Sequence, residues 1–314
     1  MMKVAVWGRD LNDSYLRRMS QLGADAVDGL PIPNEPGKGY FDLDEALKIK
    51  KEIHSWGMEI NRVSLPYMSE NYMDDGDGAE AELEDCCQSL RVIGEAKMPL
   101  ARVGFARDVY QWMRRNYNAV HRGGYVYRGE GLSDNLTPPS QEEQEIWWQR
   151  VCHAYEKLVP IAEEYGVRLI MHPSDPPSPD APFGGLGYHR LIDAFPNPCV
   201  GYLYCCGTRA QAGGQSLVLD EIHNYGRKGR IFMVHFRNVR GSLATARAFE
   251  EVMLDDGDMN MFKILLELDR VGFDGCLQPD HCPRLEGDDD AAVQGVAYAV
   301  GYIKALLAAL AAIK

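Results

Sequence analysis

Residues 141–173 read QEEQEIWWQRVCHAYEKLVPIAEEYGVRLIMHP, a helix followed directly by a short buried strand. The first part opens with acidic residues and ends on Gly166, which is how helices commonly begin and end. The second part, VRLIMHP, is a short apolar run typical of a strand buried on both faces of a parallel sheet. This stretch therefore predicts the repeating unit of an α/β fold.

The same alternation recurs along the whole chain. Eight short apolar runs are candidate strands, at residues 3–8, 24–30, 59–65, 100–106, 167–173, 200–205, 230–239 and 275–281. Segments with helical periodicity separate them, at residues 11–23, 42–57, 79–98, 141–166, 186–195, 216–226, 259–272 and 291–313. The pattern predicts a single (β/α)8 TIM-barrel domain over residues 1–314, and the alternative is a doubly wound sheet with extra strands.

Two connections are longer than this alternation requires. Residues 107–140 are rich in Gly, Tyr and Arg, and residues 174–187 are rich in Pro and Gly. Long loops in compact domains commonly carry function. Both follow candidate strands, so we expect both at the carboxyl-terminal face of the barrel, where barrel enzymes build their active sites.

Composition narrows the class of partner. Hydrophobic residues make up 46% of the chain and charged residues 25%, which is ordinary for a globular protein. The net charge of −13 disfavours nucleic acid and anionic membranes as partners, since both reward clustered Lys and Arg. We therefore expect a small-molecule substrate, and we expect the protein to be a homo-oligomer.

The start of the chain and the spacing of its cysteines favour the cytoplasm. The start of the chain has no secretory signal, because its apolar run is short and is broken by Gly8-Arg9-Asp10. The adjacent pairs Cys86-Cys87 and Cys205-Cys206 are poor spacing for a disulfide framework, which favours reduced thiols. We interpret the Ala-rich stretch 296–313 as a buried terminal helix, not as a membrane span.

Four successive candidate strands carry, at or near their ends, a side chain that can bind a divalent metal. These side chains are His172, Cys205, His235 and Asp280. Their separations of about 30 to 45 residues correspond to about one βα unit each, so a barrel would bring them to one rim. Imidazole, thiolate and carboxylate together suit Zn²⁺, Fe²⁺, Co²⁺ or Mn²⁺. The sequence thus predicts a metal centre at the barrel mouth.

Other interpretations of single residues stay open. A lone strand-end histidine is more often a hydrogen-bonded core residue, and a lone buried cysteine usually packs as a small hydrophobe. Cys206 competes with Cys205 as ligand, although only one of two adjacent strand residues faces the mouth. Arg237 and Asn238 follow His235 as candidate substrate-orienting groups, with an ion pair across the rim as the alternative. Four other histidines fall on predicted helices, at His54, His153, His189 and His223.

Several motifs resemble those of the D-mannonate dehydratases, a family of TIM-barrel enzymes of hexuronate breakdown. The opening VAVWGRDLND resembles the family's opening stretch, and IMHPSDPP (170–177) is similar to its His-Pro-Asp-Asp-Pro-Pro element. YCCGT (204–208) resembles Cys-Thr-Gly-Ser, and VHFRNV (234–239) resembles His-x-Arg-Asn-Val. DDGDMNM (255–261) and QPDHC (278–282) resemble two further family motifs, Asp-Gly-Asp-x-Asp-Met and Arg-Pro-Asp-His-Gly.

The resemblance implies dehydration of D-mannonate to 2-keto-3-deoxy-D-gluconate with a divalent metal. It implies Mn²⁺ most strongly, with Fe²⁺, Co²⁺, Zn²⁺ or Mg²⁺ as alternatives, held by His172, Cys205, His235 and Asp280. It also implies that His281 is the acid/base, and we predict a catalytic role for Arg237 beside it. The substrate-binding residues that we predict are Asn238, His121, Arg122 and Tyr125.

One family residue is missing. Aligning the last helix places Val296 where the family has a catalytic Tyr, and Tyr298 is two positions away, on another face of that helix. Tyr125, Tyr127 or His121 could instead protonate the departing hydroxyl. Because this proton donor is displaced, two other functions stay open: a metal-dependent sugar isomerase or epimerase, and a non-catalytic metal-binding or ligand-binding relative.

Overall fold

The computed structural model describes residues 1–8, 11–107, 114–134, 137, 139–173, 185–288 and 292–314, with the backbone alone described at residues 185–187. Twelve strands lie in this part of the chain. They are β1 (Lys3–Trp7), β2 (Ala26–Leu30), β3 (Glu59–Ser64), β4 (Leu100–Arg102), β5 (Arg114–Val120), β6 (Val126–Leu132), β7 (Arg168–Met171), β8 (Val200–Cys205), β9 (Ile231–His235), β10 (Val239–Arg240), β11 (Ala248–Glu251) and β12 (Cys276–Gln278).

Eight of these strands close a parallel barrel in the order β1-β12-β9-β8-β7-β4-β3-β2. Each predicted strand contains one of the eight, so the predicted TIM barrel is confirmed and the doubly wound sheet is excluded. The strands are short and almost wholly buried, because helices cover the outer face of the barrel and side chains fill its interior.

Ten helices lie in the described chain. They are α1 (Asp13–Gln21), α2 (Leu43–Ser55), α3 (Glu70–Met73), α4 (Ala79–Glu95), α5 (Gln141–Tyr165), α6 (Gly185–Ala194), α7 (Cys206–Gly226), α8 (Leu243–Ala246), α9 (Met261–Arg270) and α10 (Val293–Ala312). Helix α5 begins with a capping box between Ser140 and Glu143, and it ends at Gly166, whose φ of 69° completes the last turn.

Helix α7 is longer than predicted. We expected a helix at 216–226, and α7 already begins at Cys206. Gly213 and Gly214 leave helical geometry, with φ of −153° and 67°, and kink α7 into two segments. The segment after the kink is the predicted helix, and the segment before it was not predicted.

Part of the predicted long loop at 107–140 is folded. Its described residues form a hairpin of β5 and β6, which joins β11 and β10 in a separate antiparallel sheet of order β10-β11-β6-β5. We expected a loop because this segment mixes Gly, Arg and polar residues, but partners on β11 complete the strand ladder. Of the second predicted loop, 174–187, residues 174–184 lie outside the described residues, and the rest begins α6.

Helix α10 packs against the barrel with one face only. Its buried residues face β1 and α9, whereas the opposite face exposes small alanines. Only 28% of the most apolar 18-residue stretch of this helix is buried. We predicted a buried terminal helix, and α10 is buried on one face only. By length and mean hydropathy, α10 is also the one described helix that could cross a membrane.

The barrel closes between the two ends of the chain. Strand β1 pairs with β12, and the indole Nε1 of Trp7 donates a hydrogen bond to the carbonyl oxygen of Asp280 at 2.8 Å. The hydroxyl of Tyr15 in turn donates to the carbonyl of Trp7. The first strand thus holds the backbone that follows the last one.

Candidate metal and proton-transfer site

Four adjacent barrel strands deliver the four predicted metal ligands to one rim. His172 directly follows β7, Cys205 ends β8, His235 ends β9, and Asp280 follows β12 by two residues. Cys205 lies beside His235 in the strand register, and Gln278 lies beside His235 on its other side. Parallel strands all end at the same face of the barrel, so the side chains converge there.

The ligand atoms are close enough to share an ion. Those of His172, Cys205 and His235 all lie within 4.8 Å of one another. Asp280 adjoins the group, with Oδ1 3.2 Å from Nδ1 of His235 and Oδ2 3.8 Å from Sγ of Cys205. Cys206 begins α7 and belongs to the hydrophobic core, so Cys205 is the cysteine that faces the site.

The electrostatics of these side chains suit a cation. Burial lowers the pKa of His235 and holds that of His172 well below its usual value, so both imidazoles are neutral and can coordinate. Although burial alone raises it, the pKa of Asp280 is held well below its usual range by His235, His281 and Arg237. Burial raises the pKa of Cys205 to about 11, so the thiol needs a metal to become a thiolate at neutral pH.

One buried atom is a further indication that the donor set fits an ion. Nε2 of His235 is inaccessible to solvent and makes no hydrogen bond to any residue in the described part of the chain. A buried polar atom without a partner is costly, and a metal at the centre of the cluster would satisfy it. Two nitrogens, one sulfur and one carboxylate are donors that Zn²⁺, Fe²⁺, Co²⁺ and Mn²⁺ accept.

His281 lies between the metal ligands and the small sheet. Its Nδ1 is 2.6 Å from Oε1 of Glu251 on β11, and its Nε2 is 3.7 Å from Oδ2 of Asp280. The side chain is 30% exposed, so it remains open to a substrate. This ring is therefore placed to move a proton beside the predicted metal centre.

Sequence reasoning missed Glu251 and its partner Arg128. Glu251 accepts hydrogen bonds from Arg128 on β6 and from Arg237, and it is almost completely buried. The only local signal was the four-residue alternation AFEE at 248–251, which is too short to predict a strand without its distant partner.

Arg237 is enclosed by the site instead of facing a substrate. Its guanidinium contacts Glu251, lies 3.5 Å from Oδ2 of Asp280, and donates to Oγ1 of Thr208 at 3.0 Å. Only 2% of the residue is exposed. These contacts position the two carboxylates of the site, and the catalytic role that we predicted for Arg237 stays a prediction.

Asn238 is also used by the protein itself. Its side-chain amide donates to the carbonyls of Leu254 and Met259, and its oxygen accepts from the backbone N–H groups of Val239 and Met259. All four hydrogen-bonding positions of the amide are filled. The predicted substrate contact is corrected: Asn238 holds the turn at 254–259.

The variant Asn238→Ala should destabilise the fold by about 3 kcal/mol, because it leaves several buried backbone groups without partners. Thermal and urea unfolding measure this change, with Asn224→Ala, which removes a surface hydrogen bond to Asp220, as the control. A raised KM with unchanged stability would instead show a substrate contact.

The other predicted substrate-binding residues lie at the tip of the β5–β6 hairpin. Arg122 forms a two-point ion pair with Asp255 at 2.5 and 2.8 Å, and the hydroxyl of Tyr125 donates to Asp256 at 3.0 Å. His121 is buried beside Tyr125, with ring centroids 4.9 Å apart. Their described contacts fasten the hairpin to the acidic turn, and none reaches the four predicted ligands.

The last helix offers no tyrosine at position 296. Val296 packs on the hydrophobic core, and the hydroxyl of Tyr298 hydrogen-bonds to Asp255 and Arg122 at the hairpin tip. A cavity of about 560 Å³ is lined by His281, Glu251, Arg128 and Tyr127, together with residues 116–118 and Val126. Tyr127, one of the three alternative proton donors, thus shares this cavity with His281.

A polar pair fills the barrel beneath the site. Arg62 and Asp28 are completely buried and form an ion pair with Nη2 and Oδ2 2.6 Å apart, and Asn61 donates to the same carboxylate at 2.7 Å. The guanidinium lies over the indole of Trp7, 5.3 Å from its centroid. The charges of both side chains also act on the pKa of His235.

The fold and the site together define a (β/α)8-barrel protein with its chemistry at the carboxyl-terminal mouth. Solved structures share this fold: a xylose isomerase domain protein from Planctomyces limnophilus has a TM-score of 0.63 at 12% identity, covering 97% of this chain and 96% of its own. D-Psicose 3-epimerase from Clostridium cellulolyticum H10 has a TM-score of 0.62 at 13% identity, covering 98% and 99%.

Mannonate dehydratases are more similar. The crystal structure of the enzyme from Streptococcus suis serotype 2 has a TM-score of 0.81 at 23% identity, covering 99% of this chain and 96% of its own. Mannonate dehydratase 2 of Halalkalibacterium halodurans is 26% identical over 284 residues, 80% of this chain and 81% of that relative. The family model for D-mannonate dehydratase (UxuA) matches residues 132–314.

The chain belongs to the D-mannonate dehydratase family. It is accordingly an enzyme of the hydro-lyase class, and the resemblance found in its motifs is confirmed.

Proposed function

We propose that the protein dehydrates D-mannonate to 2-keto-3-deoxy-D-gluconate in a metal-dependent reaction, as a cytoplasmic homo-oligomer. The observation that carries the proposal is the convergence of His172, Cys205, His235 and Asp280 beside His281, in a member of the D-mannonate dehydratase family. Metal ligands and a proton-transfer group at one barrel mouth are what elimination next to a carboxylate needs.

The proposed metal is Mn²⁺, held by those four side chains. When bound, it supplies a Lewis acid that stabilises the negative charge developing on the substrate carboxylate. Arg237 restrains Asp280 from the side, with its Nε 3.5 Å from Oδ2 of the carboxylate. This contact helps to keep Asp280 in place when the substrate enters.

His281 is the proposed base. Its Nε2 takes the proton from C2, and the electrons of that C–H bond move toward the carboxylate. They then form the C2–C3 double bond as the C3–O bond breaks and the departing hydroxide takes a proton to become water. The enol product becomes the keto acid when C3 receives the proton held on His281 and the enol hydroxyl returns a proton to the acid.

Tyr127 is the proposed acid. It shares the cavity with His281, and its hydroxyl makes no hydrogen bond to any residue that the structure describes. Burial and the nearby Glu251 raise the pKa of Tyr127, so it keeps its proton at neutral pH until the hydroxide departs. The hydroxyl of Tyr125, in contrast, is already engaged by Asp256 and Met253.

The variant Tyr127→Phe is expected to lower kcat on D-mannonate about 100-fold, the usual scale of general acid catalysis. Tyr125→Phe removes a hydroxyl from the same hairpin and should keep kcat within about threefold, since that hydroxyl only fastens the hairpin. Steady-state kinetics with both variants shows which tyrosine donates the proton. Equal losses of kcat in the two variants would rule out Tyr127 as the specific donor.

Product analysis tests the function itself. Metal-loaded protein incubated with D-mannonate should give a product whose NMR spectrum shows a methylene at C3, which only dehydration creates. A second candidate, sugar isomerisation or epimerisation, is favoured by the Val at position 296 and predicts an aldose–ketose isomer or an epimer, in either case without a methylene. No turnover on aldonic acids, aldoses or ketoses, despite bound metal, would point to a non-catalytic relative.

A further inference from the structure

Glu251 connects the small sheet to the barrel mouth. It ends β11, where it pairs with Val239 of β10, and only 2% of the residue is exposed. Its carboxylate receives Arg128 from β6 and Arg237 from the end of β9. The third partner is His281, with Nδ1 2.6 Å from Oε1 of Glu251.

The carboxylate has no proton of its own to donate. Burial alone would raise its pKa, but Arg237, His281 and Arg128 lower the pKa of Glu251 to about 2. At neutral pH it therefore only accepts hydrogen bonds, so its 2.6 Å contact with His281 is a hydrogen bond when the hydrogen is on Nδ1. If Nδ1 carried a lone pair instead, two acceptors would face each other at 2.6 Å, which is repulsive.

Arg237 explains why this contact matters. Its Nη1 lies 2.8 Å from Nδ1 of His281, so both groups donate to the same carboxylate oxygen. Without that acceptor, the guanidinium would be free to donate to Nδ1. The imidazole would then carry its hydrogen on Nε2, the nitrogen that faces Asp280.

We infer that Glu251 is a positioning residue that fixes the tautomer of His281, with hydrogen on Nδ1 and the lone pair of Nε2 directed toward the metal centre. The inference rests on the proposed function, in which Nε2 takes the C2 proton. Glu251 itself does not touch the substrate in this arrangement. It acts as the carboxylate of a carboxylate–histidine pair does, by orienting the ring through the hydrogen on Nδ1.

The kinetic test compares two neighbouring glutamates. Glu251→Gln keeps the shape of the side chain but allows its amide to donate, and it should lower kcat at least about 100-fold with KM within about threefold. Glu250→Gln is the matched control: Glu250 lies on the other face of β11, accepts from Tyr117 at 3.3 Å, and should keep wild-type kcat. Glu251→Asp, which restores the charge, should recover part of the loss.

A spectroscopic readout separates positioning from folding. The protein is labelled with ¹⁵N-histidine and loaded with diamagnetic Zn²⁺, and long-range ¹H–¹⁵N correlations identify the tautomer of each histidine. The signals of His281 are assigned as those that are lost in the variant His281→Asn. The wild type and Glu250→Gln should show hydrogen on Nδ1, and Glu251→Ala should show it on Nε2. If Glu251→Ala does not fold, the isosteric Glu251→Gln serves the same measurement.

Hydrogen on Nε2 in the wild type, or wild-type kcat in Glu251→Gln, would overturn the inference. The tautomer measurement needs no substrate. Failure of the dehydratase reaction in the wild type would therefore count against the proposed function alone, while the NMR result would still decide the role of Glu251.

Discussion

The variant His281→Ala is expected to lose turnover of D-mannonate by about 10³- to 10⁴-fold, because it removes the group that takes the C2 proton. The ring is the one imidazole that combines partial exposure with contact to both the metal ligands and the small sheet, among the residues that the structure describes. The loss should appear in kcat and not in KM, because the proposed metal ion, which binds the carboxylate of the substrate, is held by other side chains.

Metal content and stability distinguish this loss from damage to the site. His281→Ala should bind Mn²⁺ and unfold at nearly the wild-type temperature, because His281 is not among the four proposed ligands. His153→Gln serves as the control, since His153 lies on α5 and contacts only Glu80 at 3.0 Å among the residues described. Turnover above about one tenth of wild type in His281→Ala would exclude it as the base.

The second large effect is expected at adjacent cysteines. Cys205→Ala removes the sulfur donor and should lower the affinity for Mn²⁺ by at least about 100-fold, and activity with it. Cys206→Ala removes the same atoms one residue later, but from a side chain in the core. It should cost about 1–2 kcal/mol of stability and leave metal binding intact.

Isothermal titration with Mn²⁺ and metal analysis of the purified variants measure the difference. In the wild type, chelation should abolish turnover, and Mn²⁺ should restore it. Tight metal binding by Cys205→Ala together with weak binding by Cys206→Ala would show that the wrong sulfur had been assigned.

The barrel, and the meeting of the four candidate ligands at its mouth, could be predicted from the sequence because both depend on local patterns. Short apolar runs locate the strands, and parallel strands bring their carboxyl ends together whatever the loops do. His172, Cys205 and His235 each end or follow such a run, so their position in the fold followed from their position in the chain.

The proton-transfer half of the site could not be predicted in this way. Glu251 reaches His281 only because β11 pairs with β6, a strand more than a hundred residues earlier, and neither strand has a clean apolar alternation. Antiparallel pairing between distant segments leaves almost no local signal. Asn238 shows the converse: an amide beside a metal ligand looked like a substrate contact, whereas its partners are backbone groups that no sequence pattern marks.

The pairing of the first strand with the last one bears on when the site is completed during synthesis. The carbonyl of Asp280 is held by the indole of Trp7, so the ligand from the end of the chain is set by a residue from its beginning. During synthesis, the other three proposed donors leave the ribosome before Asp280 does. The proposed four-donor set is therefore complete only after β12 has paired with β1.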